Sequence, residues 1–272
     1  MKLLDLFSGI GGFSLAAERV WGDELEIVAH CEIEEFPQKI LKMHWPDVPL
    51  IEDIRNLNGG ELGTIDIITG GFPCQPFSVA GKREGSKDDR HLWPEMFRVI
   101  QEARPRWVVG ENVTGIIHLG LEDVLSDLES QGYETQAFVI PACATGAPHR
   151  RDRVWILGYS DEQGLQGHGE LFERTSEWII GQTSKDVADS SSIRRIEGAT
   201  CRGEIPEETR WAEPDLRDKP QETGEWWFSE PDVGRVANGI PNRVDRIKAL
   251  GNAIVPQVAE VIFGAIKKIE GP

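Results

Sequence analysis

Cys74 lies in the segment Gly70-Gly71-Phe72-Pro73-Cys74-Gln75-Pro76-Phe77-Ser78, directly after the apolar run 65–69. Prolines on both sides of the Cys74-Gln75 pair restrict the backbone and hold the sulfur in a defined direction. Burying a thiol needs no such stiffness. The commoner role of a cysteine is a small buried hydrophobe, and nothing around Cys31, Cys143 or Cys201 argues otherwise. A thiolate at the carboxyl end of a strand, where open α/β sheets place their ligands, suits nucleophilic catalysis. Glu111, in Gly110-Glu111-Asn112-Val113, follows the apolar residues 107–109. An acid there costs desolvation unless it is paired or working. In Pro148-His149-Arg150-Arg151-Asp152-Arg153, an extended backbone would point Arg151 and Arg153 the same way, able to grip a carbonyl and a phosphate together. Solvent-facing arginines are the plainer alternative.

A second set of residues suits a nucleoside-type cofactor. Asp5-Leu6-Phe7-Ser8-Gly9-Ile10-Gly11-Gly12-Phe13 reads as a strand entering a glycine-rich turn that opens a helix. Such a turn lets backbone approach a ligand and aims helix N–H groups at it. The spacing is not GxGxxG, so a dinucleotide pyrophosphate is not the natural guest. Glu32, at the end of the second strand and beside Ile33, can accept both hydroxyls of a ribose. Asp53 and Ile54 stand where the third strand should end, suited to an adenine amino group and an apolar ring contact. Downstream of Cys74, residues 80–90 form a polar, glycine-flanked stretch offering Lys82, Arg83, Lys87 and Arg90 to phosphates, either a closing loop or an ordinary solvated one.

A positioned thiol, an acid, a cation pair and a methyl donor together meet the needs of one reaction. Cytosine C5 is a poor nucleophile. Thiolate addition at C6, with protonation at N3, turns the ring into an enamine that can attack an electrophilic methyl group. The base must first leave the duplex stack.

Strands alternating with helices must position these groups. Strands are expected over 2–6, 26–31, 65–69 and 107–110, and helices over 13–21, 36–44, 92–103 and 119–131, with Pro37 tolerated in a first turn. Residues 135–140 and 153–157 form a late antiparallel pair. The class is α/β, a mixed and mostly parallel sheet covered on both faces. From 159 to 245 periodicity fades, and 19 Asp and Glu face 10 Lys and Arg, a net −9. Trp178, Trp211, Trp226 and Trp227 fall in that stretch, which reads as a small loop-rich domain. Regular structure resumes at 246–250 and in a terminal helix over 255–269. The expected division is 1–158 plus 246–272 against 159–245.

The chain has 272 residues and a formal net charge of −17, unlike the basic face common in nucleic-acid binders. A local cleft need not follow the overall charge. The scattered cysteines argue against structural zinc and disulfides and suit a reducing cytoplasm. No apolar run approaches the roughly 20 residues that span a bilayer.

In order along the chain, D-L-F-S-G-I-G-G-F, Glu32, Asp53-Ile54, G-F-P-C-Q, E-N-V, H-R-R-D-R and Ala249-Leu250-Gly251-Asn252-Ala253 resemble the DNA (cytosine-5)-methyltransferase family of bacteria and phages. The resemblance covers 1–158 and 246–263. It implies a Rossmann-like fold that binds S-adenosylmethionine, yields S-adenosylhomocysteine and holds no metal. It makes Cys74 the nucleophile and Glu111 the group that binds and protonates N3. Arg151 and Arg153 then line the flipped-base pocket. Phe7 stacks on adenine, Glu32 holds the ribose and Asp53 the amino group. Asp5, Gly9, Gly11, Gly12, Ile33, Ile54, Gly71, Pro73, Leu92 and Asn252 complete the cofactor site. The implied partner is double-stranded DNA, met by a cytoplasmic monomer without a membrane, with room for a cognate restriction endonuclease acting separately. The family's C-terminal helix folds back beside the first strand.

Three departures stand out. Ala253 replaces a serine of many members, and His149 a common glutamine. The segment 159–245, in the place of the target-recognition domain, is acidic and lacks the usual arginine-rich motif near its end. Arg194, Arg195, Arg202, Arg210, Arg235 and Arg243 are its candidates for reading bases. An RNA-directed relative is disfavoured by the absence of a C-F-T segment, and an amino-methylating enzyme by Phe72-Pro73-Cys74-Gln75. A non-catalytic binding relative is favoured only by the acidic segment.

Overall fold

The computed structural model describes residues 1–73, 92–147, 149–160, 194–195 and 241–270. Strands β1 (Lys2–Leu6), β2 (Glu26–Cys31), β3 (Leu50–Ile51), β4 (Ile67–Gly70) and β5 (Trp107–Val113) run parallel. Strands β6 (Glu134–Pro141), β7 (Asp152–Tyr159) and β8 (Arg194–Arg195) extend the sheet antiparallel, giving the order β3-β2-β1-β4-β5-β7-β6-β8. Strand order reverses beside β1, so the crevice between the carboxyl ends of β1 and β4 is the place for a ligand.

Both faces of the sheet are buried, which is why β1, β4 and β5 read as nearly continuous apolar runs. Leu3, Ile67, Trp107 and Val109 point to one face, against helix α1 (Gly12–Trp21) and the C-terminal helix. Leu4, Leu6, Ile68 and Val108 point to the other, against helices α3 (Trp93–Ala103) and α5 (Leu121–Ser130). Helix α2 (Glu35–His44) leads from β2 toward β3, and a short α4 (Ile116–Leu119) precedes α5.

Several expected boundaries shift for local reasons. The strand expected at 65 begins at Ile67, because the Asp66 side chain takes the Lys2 N–H at 2.7 Å. The helix expected over 119–131 is two, α4 and α5, broken at Gly120. Leu92 caps α3 rather than opening it. Helix α6 (Arg243–Asn252) begins inside the stretch expected to lack regular structure, and α7 (Pro256–Glu270) follows.

By length and composition the stretch Arg243–Glu270 is apolar enough to cross a membrane, contrary to the sequence expectation. It is two helices separated at 253–255, and Val258, Ala259, Ile262, Phe263 and Ile266 are buried. Phe263 meets Trp21 at a ring distance of 5.0 Å, and Trp107 Nε1 donates to Glu270 at 2.7 Å. The terminal helix thus docks on α1, beside the first strand.

Candidate active site

The turn after β1 is built from unusual backbone. Phe7 has φ +51°, Gly9 +54° and Gly11 +84°. For Phe7 the left-handed conformation costs about 1–2 kcal/mol, the kind of strain that collects at ligand sites. Any Cβ on Gly11 would fall 2.3 Å from the Trp45 ring, so that position is closed to side chains. Ser8 ties the turn down, its hydroxyl donating to the Asp5 carbonyl at 2.6 Å. Glu32 accepts the Gly9 N–H at 2.7 Å and the Glu34 N–H at 2.8 Å, one on each oxygen. Each oxygen keeps a lone pair for a ribose hydroxyl. Burial raises the Glu32 pKa against those bonds.

Beyond β3, Asp53 caps a single 3-10 turn by accepting the Arg55 N–H at 3.0 Å, and Ile54 is buried beneath it. Phe7 is partly buried against the core, and Ile33 is 60% exposed beside Glu32. These groups fit a ribose, an amino group and an aromatic ring.

Asp5 does something else. It is fully buried, taking Ser14 Oγ–H on Oδ2 at 2.8 Å and Thr69 Oγ1–H on Oδ1 at 2.9 Å. Ser14 Oγ also lies 2.9 Å from His30 Nε2. Burial pushes Asp5 up to about 7 and His30 down to about 4. The sequence expectation gave Asp5 to the cofactor. Its carboxylate instead ties β1 to β4 and α1 beneath the turn.

Across the switch point, Glu111 is buried near the end of β5, and Arg153 Nε stands 2.9 Å from its Oε1. Burial raises Glu111 to about 7, although Arg153 and Arg151 both pull it down. A Cβ on Gly71 would sit 3.5 Å from Glu111 Oε2, so the loop leaving β4 passes directly over the acid. Asn112 holds that loop, Nδ2 donating to the Phe72 carbonyl at 2.9 Å while Oδ1 accepts the Val113 N–H at 2.9 Å. Phe72 packs on Trp93 at 5.1 Å, and Trp93 Nε1 donates to Asp127 at 2.7 Å. Pro73 ends this described stretch, and Leu92 resumes the chain half-buried at the cap of α3.

Arg151 acts on Glu111 together with Arg153, but not through the strand alternation expected from the sequence. It precedes β7 with φ +41°, so alternation along a strand does not align it with Arg153. Its Nη2 donates to the carbonyls of Gly251 at 2.8 Å and Ala253 at 2.6 Å, while its buried Nε has no partner. Asn252 lies exposed between those carbonyls, and Ile254 packs where Gly12 leaves no room for a Cβ, at 2.6 Å.

The structure therefore gathers Phe7, Gly9, Gly11, Gly12 and Glu32 on one side of the switch point and Gly71, Glu111 and Arg153 on the other. Cys74 lies outside the described residues, as do residues 80–90 and Arg202, Arg210 and Arg235. Sequence reasoning missed Asn112 as a brace; the signal was a polar side chain beside Glu111 in an otherwise apolar strand.

The mixed, mostly parallel sheet and the glycine turn after β1 define a Rossmann-like S-adenosylmethionine-dependent methyltransferase fold. Residues 1–222 match the family described as C-5 cytosine-specific DNA methylase, and the chain belongs to that family. It is 33% identical over 172 residues to the type II methyltransferase M.HgiBI of Herpetosiphon aurantiacus, covering 61% of this chain and 39% of that protein. It is 31% identical over 171 residues to the type II methyltransferase M.HhaI of Haemophilus parahaemolyticus, covering 61% and 51%. Among solved structures, a mutant of Spodoptera frugiperda DNMT2 matches with a TM-score of 0.52 and 25% identity, over 61% of this chain and 52% of that one. The chain spans about half, or less, of the length of these curated relatives.

Proposed function

We propose that the chain transfers a methyl group from S-adenosylmethionine to C5 of a cytosine flipped out of duplex DNA, through a covalent Cys74 adduct. The observation that carries the reading is Glu111, buried, raised to about 7 and held 2.9 Å from Arg153 beside the strand end that leads to Cys74. Glu32, Asp53, Ile54 and Phe7 hold the methyl donor, and the strained turn of Gly9–Gly12 lets backbone reach it. When bound, S-adenosylmethionine supplies an electrophilic methyl group and leaves as S-adenosylhomocysteine.

The rest is the work of the chain. Cys74 adds as thiolate to C6, and the electron pair of the C5–C6 double bond moves toward the ring carbonyl and N3. Glu111 donates its proton to N3, a role suited to a carboxyl group that holds its proton near neutral pH. Arg153 orients that carboxyl and, with Arg151, places positive charge beside the base. After methyl transfer a base removes the C5 proton, the C5–C6 double bond re-forms as the Cys74 thiolate departs, and the N3 proton returns to Glu111.

Residues 159–245 are assigned to target recognition. Their acidity, net −9, is the one feature that speaks for a non-catalytic binding relative. Double-stranded DNA as partner, monomeric action in the cytoplasm and a separately acting endonuclease complete the proposal. Incubation with tritiated S-adenosylmethionine and mixed-sequence duplex DNA should place label in 5-methylcytosine after hydrolysis. With RNA offered in a parallel incubation, label in RNA alone, or in neither, would refute the DNA reading.

A further inference from the structure

The segment that carries Asp53 and Ile54 leaves the sheet at Ile51 and runs through two 3-10 turns, Ile54–Asn56 and Gly59–Glu61. Beyond its own caps and the burial of Ile54 and Leu57, it is held by two side chains of α3, Arg98 and Glu102. Arg98 Nη2 donates to the Ile54 carbonyl at 2.9 Å, and Nη1 to the Leu57 carbonyl at 2.9 Å. The guanidinium is itself fixed between Glu95, at 3.0 Å from Nε, and Glu102, at 2.7 Å from Nη1. Glu102 extends the grip by accepting the Gly59 N–H at 2.8 Å.

This goes beyond a surface ion pair. Exposed pairs are worth about 0–1 kcal/mol, but a planar fork tied to two carbonyls sets where a backbone turn lies. A lysine cannot reproduce it. The same helix begins at Trp93, which packs on Phe72 of the loop over Glu111. Helix α3 therefore touches both halves of the site.

We propose that Arg98 is a positioning residue for the adenine end of the methyl donor, fixing Asp53 and Ile54 from behind through the Ile54 and Leu57 carbonyls. The inference rests on the reading above that Asp53 meets the adenine amino group. It assigns Arg98 no contact with the donor itself.

The test is a calorimetric binding cycle on the full chain, using S-adenosylhomocysteine and its inosine counterpart, which lacks the amino group. Wild type, Asp53→Ala, Arg98→Lys and Glu102→Gln are compared, with melting temperature recorded for each. Arg98→Lys should weaken S-adenosylhomocysteine roughly tenfold, by analogy with the loss of a partner that orients a metal ligand. It should weaken the inosine compound little, so discrimination collapses. Glu102→Gln should give a smaller loss of the same kind, and stands in if Arg98→Lys does not fold. Equal weakening of both compounds would mean a merely structural arginine and overturn the proposal. If Asp53→Ala keeps full discrimination, the adenine reading fails instead. If Asp53→Ala loses it while Arg98→Lys and Glu102→Gln keep it, that reading stands and the role of Arg98 falls.

Discussion

Asn112 Nδ2 donates to the carbonyl of Phe72 at 2.9 Å, tying the strand of the buried acid to the loop that runs on toward Cys74. The residue next to Glu111 in sequence thus sets where that loop leaves the sheet. Asn112→Ala would leave a buried carbonyl and the Val113 N–H without their partner. The expected loss is about 1–3 kcal/mol of stability, with turnover falling more than cofactor affinity. Denaturant melts alongside single-turnover rates check this. Unchanged turnover in a folded variant would remove Asn112 from the placement of the loop.

Glu111→Gln keeps the shape of the side chain and removes its titrating proton. Turnover should fall by about 10²–10⁴, the range for loss of a general acid, with S-adenosylmethionine binding nearly intact. The carboxyl of the free chain titrates at about 7. It therefore holds its proton below that pH, and a limb in kcat/KM that falls as pH rises through about 7 should vanish in the variant. Weak cofactor binding in Glu111→Gln would contradict the assigned role.

Arg151→Lys keeps the charge but not the fork. Its Nη2 bridges the Gly251 and Ala253 carbonyls across 100 residues of sequence, next to Ile254 on the glycine turn. Loss of these bonds should cost about 1–3 kcal/mol and loosen the junction between α6 and α7. Faster amide exchange in residues 249–255, measured on the folded variant, is the expected signature.

The Asp5–Ser14–His30 group gives a stability signature whose two parts oppose. Asp5 is raised from 3.8 to about 7, so the folded chain keeps a proton that the unfolded chain has lost. Its contribution is greatest below pH 3.8 and declines as pH rises to about 7. His30 is lowered from 6.5 to about 4, so its contribution is full above 6.5 and lost as pH falls toward 4. Asp5→Asn removes the first and leaves the second. Its melting temperature relative to wild type should therefore climb from pH 4 to pH 7; a difference constant with pH would sink this assignment.

Much of this was legible in the sequence. Strands β1 and β2 fall at 2–6 and 26–31 as expected, because their apolar residues are buried where the parallel sheet is covered. The glycine turn, Glu32 and Glu111 were legible because each is a polar or flexible residue at the end of an apolar run. Arg151 was misread only in its alternation with Arg153. Its partners lie a hundred residues away, and a positive φ on an arginine leaves no trace in alternation. Arg98 was invisible for the same reason, since on its helix it looks like any solvated arginine between two glutamates. Asp5 was given to the cofactor because the turn is adjacent, whereas its carboxylate is fully buried against Ser14 and Thr69 of other elements.

The most direct measurement uses duplexes carrying 5-fluorocytosine, whose fluorine blocks the final proton removal. Incubated with the chain and S-adenosylmethionine, a pool of such duplexes covering all short sequence contexts should yield a covalent protein–DNA adduct. The adduct should be stable to denaturing electrophoresis, absent without the methyl donor and absent in Cys74→Ser. An adduct that persists in Cys74→Ser, or none across the whole pool, would contradict thiolate catalysis at Cys74.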